Sequence, residues 1–472
     1  MEYIYKQFIA LVDAMFDLQL FAEGGTNVIG TAANVNAYTG VLTAQSAGNS
    51  MSATMKKYYD TELLENARNE HYYDQFGKKV QLPRGRGKKL EWRRFNTLPN
   101  ADRLIEGVIP KGKNFGMTYI EGEIHQFGMY ITISDQLELH AIDDIILGAT
   151  EELGASAGES EDVLVRNVLM EGTNVIYAPP IVNGVAGTKP IGRWGLSNAC
   201  RLTPELVNET ATMLKKMKAP KINGKYIAII HPSVTHDLRN SQYWIEAHKY
   251  ASPEEIYNGE IGELHGVRFI ETPTAIVWKG APLNGNTQYL SLTTTYITND
   301  TTMYAPYGET SPYKATISET PAKELVGRFV HVYDDSAKAN VATAKIVGVD
   351  PTNKYLWFNI GLGITPAVGD LLYPGESGTP DQSGNSTAVY GCLFLGKDAY
   401  GILDPDGAAM EMIIKDKAQA GGPLNQFSTL GYKFSGGAKI LYQDRMIRVE
   451  CGSSLGDTDE DNSAPLQQAD TV

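Results

Sequence analysis

The sequence predicts a protein of several α+β modules, and three observations support this prediction. The chain has 472 residues, which corresponds to roughly three units at 100 to 200 residues per domain. Apolar residues recur at helical spacing over residues 141–170, which predicts a helix of about 45 Å if it is continuous. Residues 281–388 are rich in Thr, Tyr, Gly and Pro and predict an antiparallel β unit such as a small barrel.

The composition is globular and excludes several other classes of protein. With 42% hydrophobic and 20% charged residues, the chain is not wholly disordered, collagen-like or a coiled coil. Its three cysteines support neither a disulfide framework nor a four-cysteine zinc site. The net charge of -14 argues against a dedicated nucleic-acid binder, because phosphate affinity comes from Lys and Arg. We expect no signal peptide and no membrane span, since acidic and polar residues interrupt the apolar stretches.

Local patterns predict the order of the elements along the chain. Residues 24–55 lack any periodicity and predict a flexible arm, and residues 55–77 predict an amphipathic helix. Thr203 is the predicted N-cap of a helix with Pro204 at its first position. The run KYIAIIHP then predicts a buried strand, and Ser233 is the predicted cap of a further short helix. The final 20 residues are polar and acidic and predict a disordered tail.

The stretch with the strongest charge pattern is residues 78–94, where eight bases accompany one acid, Glu91. Three interpretations apply: docking on acidic surfaces of sister subunits, a solvated loop without a role, and contact with nucleic-acid phosphates. We rank them in that order, because the rest of the chain is acidic and because only Trp92 and Phe95 interleave the bases, which is little for a base-stacking platform. The candidate inter-subunit contacts are Arg84, Arg86, Lys88, Lys89, Arg93 and Arg94.

Motifs for enzyme chemistry are missing or misplaced. One GxSxG match, centred on Ser156, lies inside the long helical pattern and not between a strand and a helix, so it predicts close helix packing. Two sets of candidate metal ligands also occur: His231, His236, Asp237 and His248, and Asp457, Asp459 and Asp461. The first set does not share one helical face, and the second lacks the glycine and the terminal glutamate of a calcium loop. We therefore predict no enzyme activity, no metal and no cofactor.

Several blocks in collinear order carry a family resemblance. They include DQFGKK, GKKLEWRRF, LIEGVIP, FGMYITISD, EELGASAGESEDVLVRNVL, IAIIHPSV, YWIEAHKYASPEEIYNGEIGELHGVRFIET, CLFLGKDAYGILD, PLNQFSTLGYKF and MIRVECGSS. Over about residues 51–280 and 389–454 the chain resembles the major capsid proteins of the N4-like tailed bacteriophage family. The resemblance implies an α+β Hong Kong 97-type capsid fold with an N-terminal arm, an extended β-hairpin loop, a long spine helix, and peripheral and axial domains. To this fold the chain adds an inserted antiparallel β domain.

The resemblance and the local patterns together imply a division into six parts. They are the arm 1–80, the extended β-hairpin loop 81–122, the peripheral domain 123–200 and 430–452, the axial domain 201–280 and 389–429, the inserted β domain 281–388, and the acidic tail 453–472. The sequence from Met15, MFDLQLFAEG, resembles the beginning of many family members. Residues 1–14 are therefore expected to come from an upstream start codon. The inserted domain is expected to project from the outer surface, where insertions are tolerated.

The resemblance also implies a function. It is that of a major capsid protein, which self-assembles into hexamers and pentamers of the icosahedral head of a tailed double-stranded DNA phage. The implied partners are copies of the chain, a portal protein and the packaged DNA without sequence specificity, and scaffold and decoration proteins are left open. The implied location is the virion capsid, assembled in the host bacterial cytoplasm, with no membrane partner. Two alternatives are a cellular nanocompartment shell protein of the same fold and an α/β enzyme with a β-barrel module.

Overall fold

The computed structural model describes most of the chain from Tyr72 onward. The described residues are 72–82, 87–95, 98, 100–103, 106, 109, 112–140, 145–182, 184–248, 262–284, 288–298, 313–334, 339–359, 369–380, 386–405, 410–415 and 426–464. The predicted arm up to residue 71, with most of the helix expected over residues 55–77, lies outside them. The chain forms two compact units: Met1–Val165 with Gly401–Leu441 and Leu466–Val472, and Arg166–Tyr400 with Tyr442–Pro465.

The described residues form α-helices, short 3₁₀ helices and strands. The α-helices are α1 Asp135–His140, α2 Ile145–Met170, α3 Pro204–Lys216, α4 Pro232–Arg239 and α5 Gln242–His248. The 3₁₀ helices are Asp74–Phe76, Arg193–Gly195, Lys323–Leu325 and Gln443–Arg445. The strands are β1 Lys78–Leu82, β2 Lys89–Phe95, β3 Met117–Glu123, β4 His125–Ser134, β5 Val175–Tyr177, β6 Ile181–Val182, β7 Val185–Ala186, β8 Tyr226–Ile230, β9 Glu263–Leu264, β10 Val267–Glu271, β11 Val277–Trp278, β12 Leu290–Thr298, β13 Tyr313–Ile317, β14 Phe329–Asp334, β15 Ala339–Asp350, β16 Tyr355–Phe358, β17 Leu371–Pro374, β18 Val389–Leu395, β19 Tyr400–Pro405, β20 Glu411–Lys415, β21 Phe427–Ile440 and β22 Met446–Cys451.

The first unit contains a mixed sheet against which α2 packs. Its strands run in the order β1, β19, β21, β20, and β4 pairs with β21. Leu153 and Ala157 of α2 are buried, and they share one apolar cluster with Tyr432 and Phe434 of β21. The helix therefore turns its apolar side to the sheet, in agreement with the helical spacing of the sequence. Its role as a spine helix stays a prediction.

The second unit is built around a seven-stranded mixed sheet. The strands follow the order β5, β22, β18, β8, β10, β9, and β11 pairs with β18. Every residue of β8, β18 and β22 is buried, which confirms the buried strand predicted from KYIAIIHP. Strands buried this deeply need cover on both faces of the sheet, and α3 lies against β22 as part of that cover. Over the described ranges, no helix combines the length and apolarity that crossing a bilayer requires.

Of the two N-caps predicted in this unit, the structure confirms the one of α3 and corrects the one of α4. The Thr203 hydroxyl oxygen accepts a hydrogen bond from the N–H of Leu206 at 3.3 Å, and Pro204 begins α3, as predicted. The cap predicted at Ser233 is wrong by two residues. His231 caps α4, and its Nδ1 accepts the N–H of Ser233 at 3.2 Å. The imidazole takes this place because the chain leaves β8 in extended form at His231 and turns into the helix directly afterwards.

Six strands of the second unit close into a barrel. Their order is β12, β13, β16, β15, β14, β17, and β17 pairs back to β12. Its apolar core is formed by Leu283, Leu290, Leu292, Ala315, Ile317, Leu325, Val330, Val332, Ala344, Ile346, Leu356, Phe358 and Leu372. Inward-facing side chains fill a barrel this small. The antiparallel β unit expected in residues 281–388 is this barrel, and its status as an insertion stays a prediction.

His331 is a fully buried base on the barrel. It lies on β14 between Val330 and Val332 of the barrel core, and its ring stacks on Tyr373 with centroids 5.7 Å apart. Burial lowers the pKa of His331 from 6.5 to about 4, although the carbonyl of Pro374 acts in the opposite direction. The neutral imidazole is therefore the form that the folded barrel accommodates.

Acidification is expected to destabilise the barrel through His331. The unfolded imidazole takes up its proton near pH 6.5 and the folded one only near pH 4. The neutral His331 therefore makes its full contribution to the free energy of unfolding above pH 6.5, and this free energy falls by about 3 kcal/mol as the pH drops to 4. Hydrogen exchange of barrel peptides should show this loss in the wild type. Carboxylates titrate in the same way in the wild type and in His331→Leu, so the difference in stability between the two proteins reports on His331 alone. If that difference did not vary with pH, the prediction would be contradicted.

The tail is the clearest departure from expectation, because residues 453–464 make specific hydrogen bonds. We call these residues the C-terminal strap. Asp459 Oδ2 accepts hydrogen bonds from the hydroxyls of Ser233 and Tyr390, each at 2.5 Å, and Asp461 accepts the N–H of Lys279 at 3.0 Å. The expectation of disorder is wrong for this part of the tail. These donors lie far away in the sequence, so the local acidic pattern could not reveal them.

Residues 430–452, expected to return to one domain, are divided between the two sheets. β21 belongs to the sheet of the first unit, whereas β22 belongs to that of the second. The 3₁₀ helix Gln443–Arg445 separates them. The borders of the compact units lie after Val165, Tyr400 and Leu441, and the six-part division stays a prediction. Strand patterns in a sequence show where strands occur but not which strands pair.

The hairpin ribbon as a candidate inter-subunit surface

The predicted basic loop contains a two-stranded antiparallel ribbon. β2 and β3 pair along seven residues, from Lys89 opposite Glu123 to Phe95 opposite Met117. We call residues 87–95 and 112–123 the hairpin ribbon. On β2 exposed and less exposed side chains alternate, and the exposed ones are Lys89, Glu91, Arg93 and Phe95. The ribbon therefore presents one side of its sheet to solvent.

Trp92 anchors the base of the ribbon on the other side. Its side chain is 8% exposed and lies against Gly122 of β3 and Gly401 of β19. A Cβ atom built on these glycines would come within 2.5 Å and 2.7 Å of the indole ring, respectively. Only glycine allows so close an approach of the backbone. Burial thus removes Trp92 from any stacking platform, and the weak case for nucleic-acid stacking loses one of its two aromatic residues.

The six candidate contact bases are described only in part. Arg84 and Arg86 lie outside the described residues. The other four stand on the ribbon with exposed side chains, except for the half-buried Arg94: Lys88, Lys89, Arg93 and Arg94. Their part in contacts between subunits stays a prediction.

Acids on both strands of the ribbon offset these bases. Lys89 Nζ lies 3.7 Å from Glu121 of β3, and Arg93 Nε lies 3.5 Å from Glu91. Exposed ion pairs of this kind contribute only about 0–1 kcal/mol, so the bases can exchange these partners for others at little cost. Five bases face three acids across the ribbon. The electrostatic potential of the hairpin ribbon is therefore less positive than the sequence of residues 78–94 suggests, because β3 supplies Glu121 and Glu123.

An exposed aromatic patch is the feature that sequence reasoning missed. Phe95 and Phe115 stack with ring centroids 5.0 Å apart and planes inclined by 16°. They nevertheless remain 54% and 60% exposed, and Tyr119 is 56% exposed. We call Phe95, Phe115 and Tyr119 the aromatic patch. Exposed apolar side chains that cluster on one face of a protein are typical of interaction surfaces, so the aromatic patch is a candidate contact surface. The even spacing of Phe115 and Tyr119 was the signal in the sequence.

The GxSxG match plays a structural part. Ser156 lies in the middle of α2, and its hydroxyl is 3.3 Å from the hydroxyl of Tyr432 on β21. Ser160, one turn further along α2, approaches the same hydroxyl at 3.4 Å. Ser156 therefore belongs to the packing of helix on sheet, as the sequence predicted, and not to a strand-to-helix turn.

The candidate metal ligands are spread over separate contacts. His231 caps α4, Asp237 accepts the N–H of Ser454 at 2.8 Å, and the strap aspartates bind hydroxyl, amide and backbone groups of the chain itself. His236 is exposed, and the side chain of His248 lies outside the described residues. Among the residues that the structure describes, no group of three His, Cys, Asp or Glu side chains is arranged to hold a metal ion.

A comparison with protein families gives one match. Residues 119–317 match the family model of a phage capsid protein, which begins in β3 and ends in β13. The match confirms the prediction of a phage capsid protein, which is a structural and non-enzymatic class. The narrower resemblance to the N4-like family stays a prediction. No protein of curated function matches the chain.

Solved shell structures are also similar to the chain. The capsid of Ralstonia phage GP4 is 12% identical, with 88% of this chain and 97% of that chain covered and a TM-score of 0.47. The capsid of cyanophage P-SCSP1u is 11% identical, with 88% and 94% covered and a TM-score of 0.45. A virus-like particle from Pyrococcus furiosus is 9% identical, with 83% and 98% covered and a TM-score of 0.35. At these scores the family match, and not the structural likeness, identifies the class.

Proposed function

We propose that the chain is the major capsid protein of a tailed double-stranded DNA bacteriophage, which assembles into the hexamers and pentamers of an icosahedral head. The match of residues 119–317 to phage capsid proteins carries this proposal. The order of parts supports the Hong Kong 97-type arrangement that the N4-like resemblance implies. A hairpin ribbon precedes a 26-residue helix, an α/β sheet and a barrel along the chain.

The hairpin ribbon supplies a physical route to assembly. A shell subunit must bind several copies of itself through separate patches, and an average interface buries about 1,600 Å². A ribbon fixed by Trp92 at its base can offer its aromatic patch to a neighbour without loss of its own core. Because a closed shell makes many such contacts at once, each contact can be weak.

The proposal includes partners other than the copies of the chain. A portal protein, and scaffold and decoration proteins where the phage has them, would bind the same shell. The packaged DNA would meet the wall without sequence-specific contacts, because the chain is acidic, with a net charge of -14. The location that follows is the virion capsid, assembled in the cytoplasm of the host bacterium.

The alternatives have less support. A nanocompartment shell protein shares the implied fold, but the family match is to phage capsid proteins. An α/β enzyme would need Ser156 at a strand-to-helix turn, whereas this serine lies within α2.

Electron microscopy of the full chain tests the proposal. The chain is expressed in bacteria alone and together with the proteins encoded beside its gene. Closed shells of uniform diameter are expected in at least one of the two preparations. Single subunits in both preparations, at low and high ionic strength, would overturn the proposal.

Charge reversal on the basic loop is expected to impair assembly. Changing Arg84, Arg86, Lys88 and Lys89 to Glu replaces attraction to acidic neighbours by repulsion, and we expect particle yield to fall by about tenfold or more. Wild-type assembly should depend on ionic strength, because charges are screened beyond about 10 Å at 0.1 M salt. The yield is measured by sedimentation, and circular dichroism checks that the subunit is folded.

A matched charge reversal separates the role of the loop from that of net charge. The control changes four exposed lysines at the end of α3 and beyond it to Glu: Lys215, Lys216, Lys218 and Lys221. It is expected to assemble better than the loop variant. Equal yields for the two variants would contradict a specific role of the basic loop.

A further inference from the structure

Two cysteines meet inside the seven-stranded sheet of the second unit. β18 and β22 pair in antiparallel fashion, with Tyr390 opposite Cys451 and Cys392 opposite Val449. Residues that pair across two strands share a face of the sheet, and so do residues two apart on one strand. Cys392 and Cys451 therefore lie diagonally on one face, and their sulfur atoms are 3.7 Å apart.

The two cysteines are enclosed by the protein and carry free thiols. Both side chains are fully buried, and each thiol contacts the other. Cys200, the third cysteine, has a different partner, because its sulfur accepts the N–H of Ser197 at 3.4 Å. Its carbonyl accepts the N–H of Gly452 at 2.7 Å, so Cys200 lies beside the end of β22 and is the natural comparison for the pair.

The pair stands at the base of a long excursion of the chain. After β18 the chain leaves the seven-stranded sheet, forms β19, β20 and β21 in the sheet of the first unit, and returns as β22. Cys392 and Cys451 lie on the strands before and after this excursion, 59 positions apart. A bond between them would close a long loop, and long loops restrict the unfolded chain most when they are cross-linked.

We propose that Cys392 and Cys451 form a redox site whose two thiols close to a single disulfide. Their sulfurs must move from 3.7 Å to about 2.0 Å, which is the length of the bond. Because both side chains lie on one face of the same sheet, rotation of the two side chains can bring the sulfurs together without any change in strand pairing.

A peroxide is the class of oxidant that suits so enclosed a site, because it is small. The thiolate of one cysteine attacks a peroxide oxygen, the O–O bond breaks, and a sulfenic acid and hydroxide form. The second thiolate attacks the sulfenic sulfur, the S–S bond forms, and another hydroxide leaves. The two thiol protons convert both hydroxides to water. The cysteine pair thus loses two electrons, and the peroxide gains them.

The closed sheet protects the reduced pair. The hydrogen bond with Cys392 and burial both raise the pKa of the Cys451 thiol well above its usual range, and the thiolate is the reactive form. Oxidation is therefore slow and needs local opening near β22. A reducing cytoplasm keeps thiols reduced and an oxidising medium does not. The use of this difference rests on the proposed function: a subunit assembled in the host would be cross-linked only after release.

Peptide mapping of the full-length chain tests the redox site. The protein is purified with a reductant, which is then removed, and hydrogen peroxide is added at room temperature and, in a second sample, a few degrees below the melting temperature. Remaining thiols are alkylated after unfolding, and unreduced peptides are analysed by mass spectrometry. A cross-link of Cys392 to Cys451 is expected in at least one sample, with Cys200 alkylated. No such cross-link in either sample, or one to Cys200 instead, would overturn the proposal.

Melting temperatures before and after oxidation give a second readout. The cross-linked wild type is expected to melt roughly 5 °C or more above the reduced protein, and dithiothreitol should reverse the rise. Cys451→Ala is expected to lose the rise, whereas Cys200→Ala should keep it. A rise in Cys451→Ala, or none in Cys200→Ala, would count against the proposal. Peptide mapping of the wild type decides the matter if Cys451→Ala does not fold.

The redox site and the proposed function can fail independently. The cross-link is measured on the subunit and does not depend on shells. If the chain forms shells but Cys392 and Cys451 never join, only the redox site is lost. If the disulfide forms but neither preparation contains shells, the redox site stands and the capsid proposal is lost.

Discussion

Replacing Phe95 and Phe115 together by Ser is expected to abolish shell assembly while the subunit stays folded. Both rings are more than half exposed in the subunit, so their removal takes little from its own core. A fully buried aromatic side chain is worth about 1.5–3 kcal/mol relative to an exposed one. If a neighbouring copy covers the aromatic patch, every contact in the shell loses this contribution at two positions, and small losses add up over a closed shell.

Particle yield by electron microscopy and sedimentation measures this effect. The matched control is Phe329→Ser, because Phe329 on the barrel strand β14 is 54% exposed, the same fraction as Phe95. It is expected to assemble. Thermal unfolding of both variants should stay within a few degrees of the wild type. Normal shells from the Phe95→Ser/Phe115→Ser variant would show that the aromatic patch is not a contact between subunits.

Glu450→Ala is expected to cost about 3–5 kcal/mol of unfolding free energy, which is the range for breaking a buried ion pair from one side. Glu450 lies on β22 and is 1% exposed. Its carboxylate accepts two hydrogen bonds from Arg193, at 2.8 and 2.9 Å, and one from Arg448 at 2.9 Å. Arg193 also lies 3.6 Å above the ring of Trp278. Removing the carboxylate leaves two guanidinium groups close together with no counter-charge from this residue.

An exposed ion pair of the same chemistry is the control for this prediction. Glu411 of β20 lies 3.1 Å from Lys433, and both side chains are well exposed. Glu411→Ala is expected to cost less than about 1 kcal/mol. Urea unfolding of the two variants measures both values. A loss for Glu450→Ala no larger than that for Glu411→Ala would mean that water already screens the buried group.

Short-range signals in the sequence predicted part of the fold correctly. The cap at Thr203 and the buried run of β8 depend on neighbouring residues, and both are confirmed. The helical spacing that underlies α2 is equally local. The prediction of a disordered tail failed for residues 453–464, because donors such as Ser233 to Asp459 and Lys279 to Asp461 lie far earlier in the sequence. Local patterns thus predicted elements but not the polar contacts between them.

The candidate surface divides in the same way. The sequence identified the basic loop and its bases, since charge and turn residues are visible one residue at a time. It did not separate Trp92, which is buried against Gly122 and Gly401, from Phe95, which is exposed. That distinction depends on which strands lie against each ring, and the sequence does not show strand pairing.

The sequence by itself predicts a modular α+β protein without a catalytic motif, and it contains sequence blocks that resemble those of phage capsid proteins and occur in the same order. Only the tertiary structure showed which aromatic side chains are exposed together on the hairpin ribbon and which charges are buried around Glu450. The physical reason is that burial and electrostatic environment depend on groups brought together from distant parts of the chain. A residue's own identity and its near neighbours determine secondary structure far more directly than they determine these surroundings.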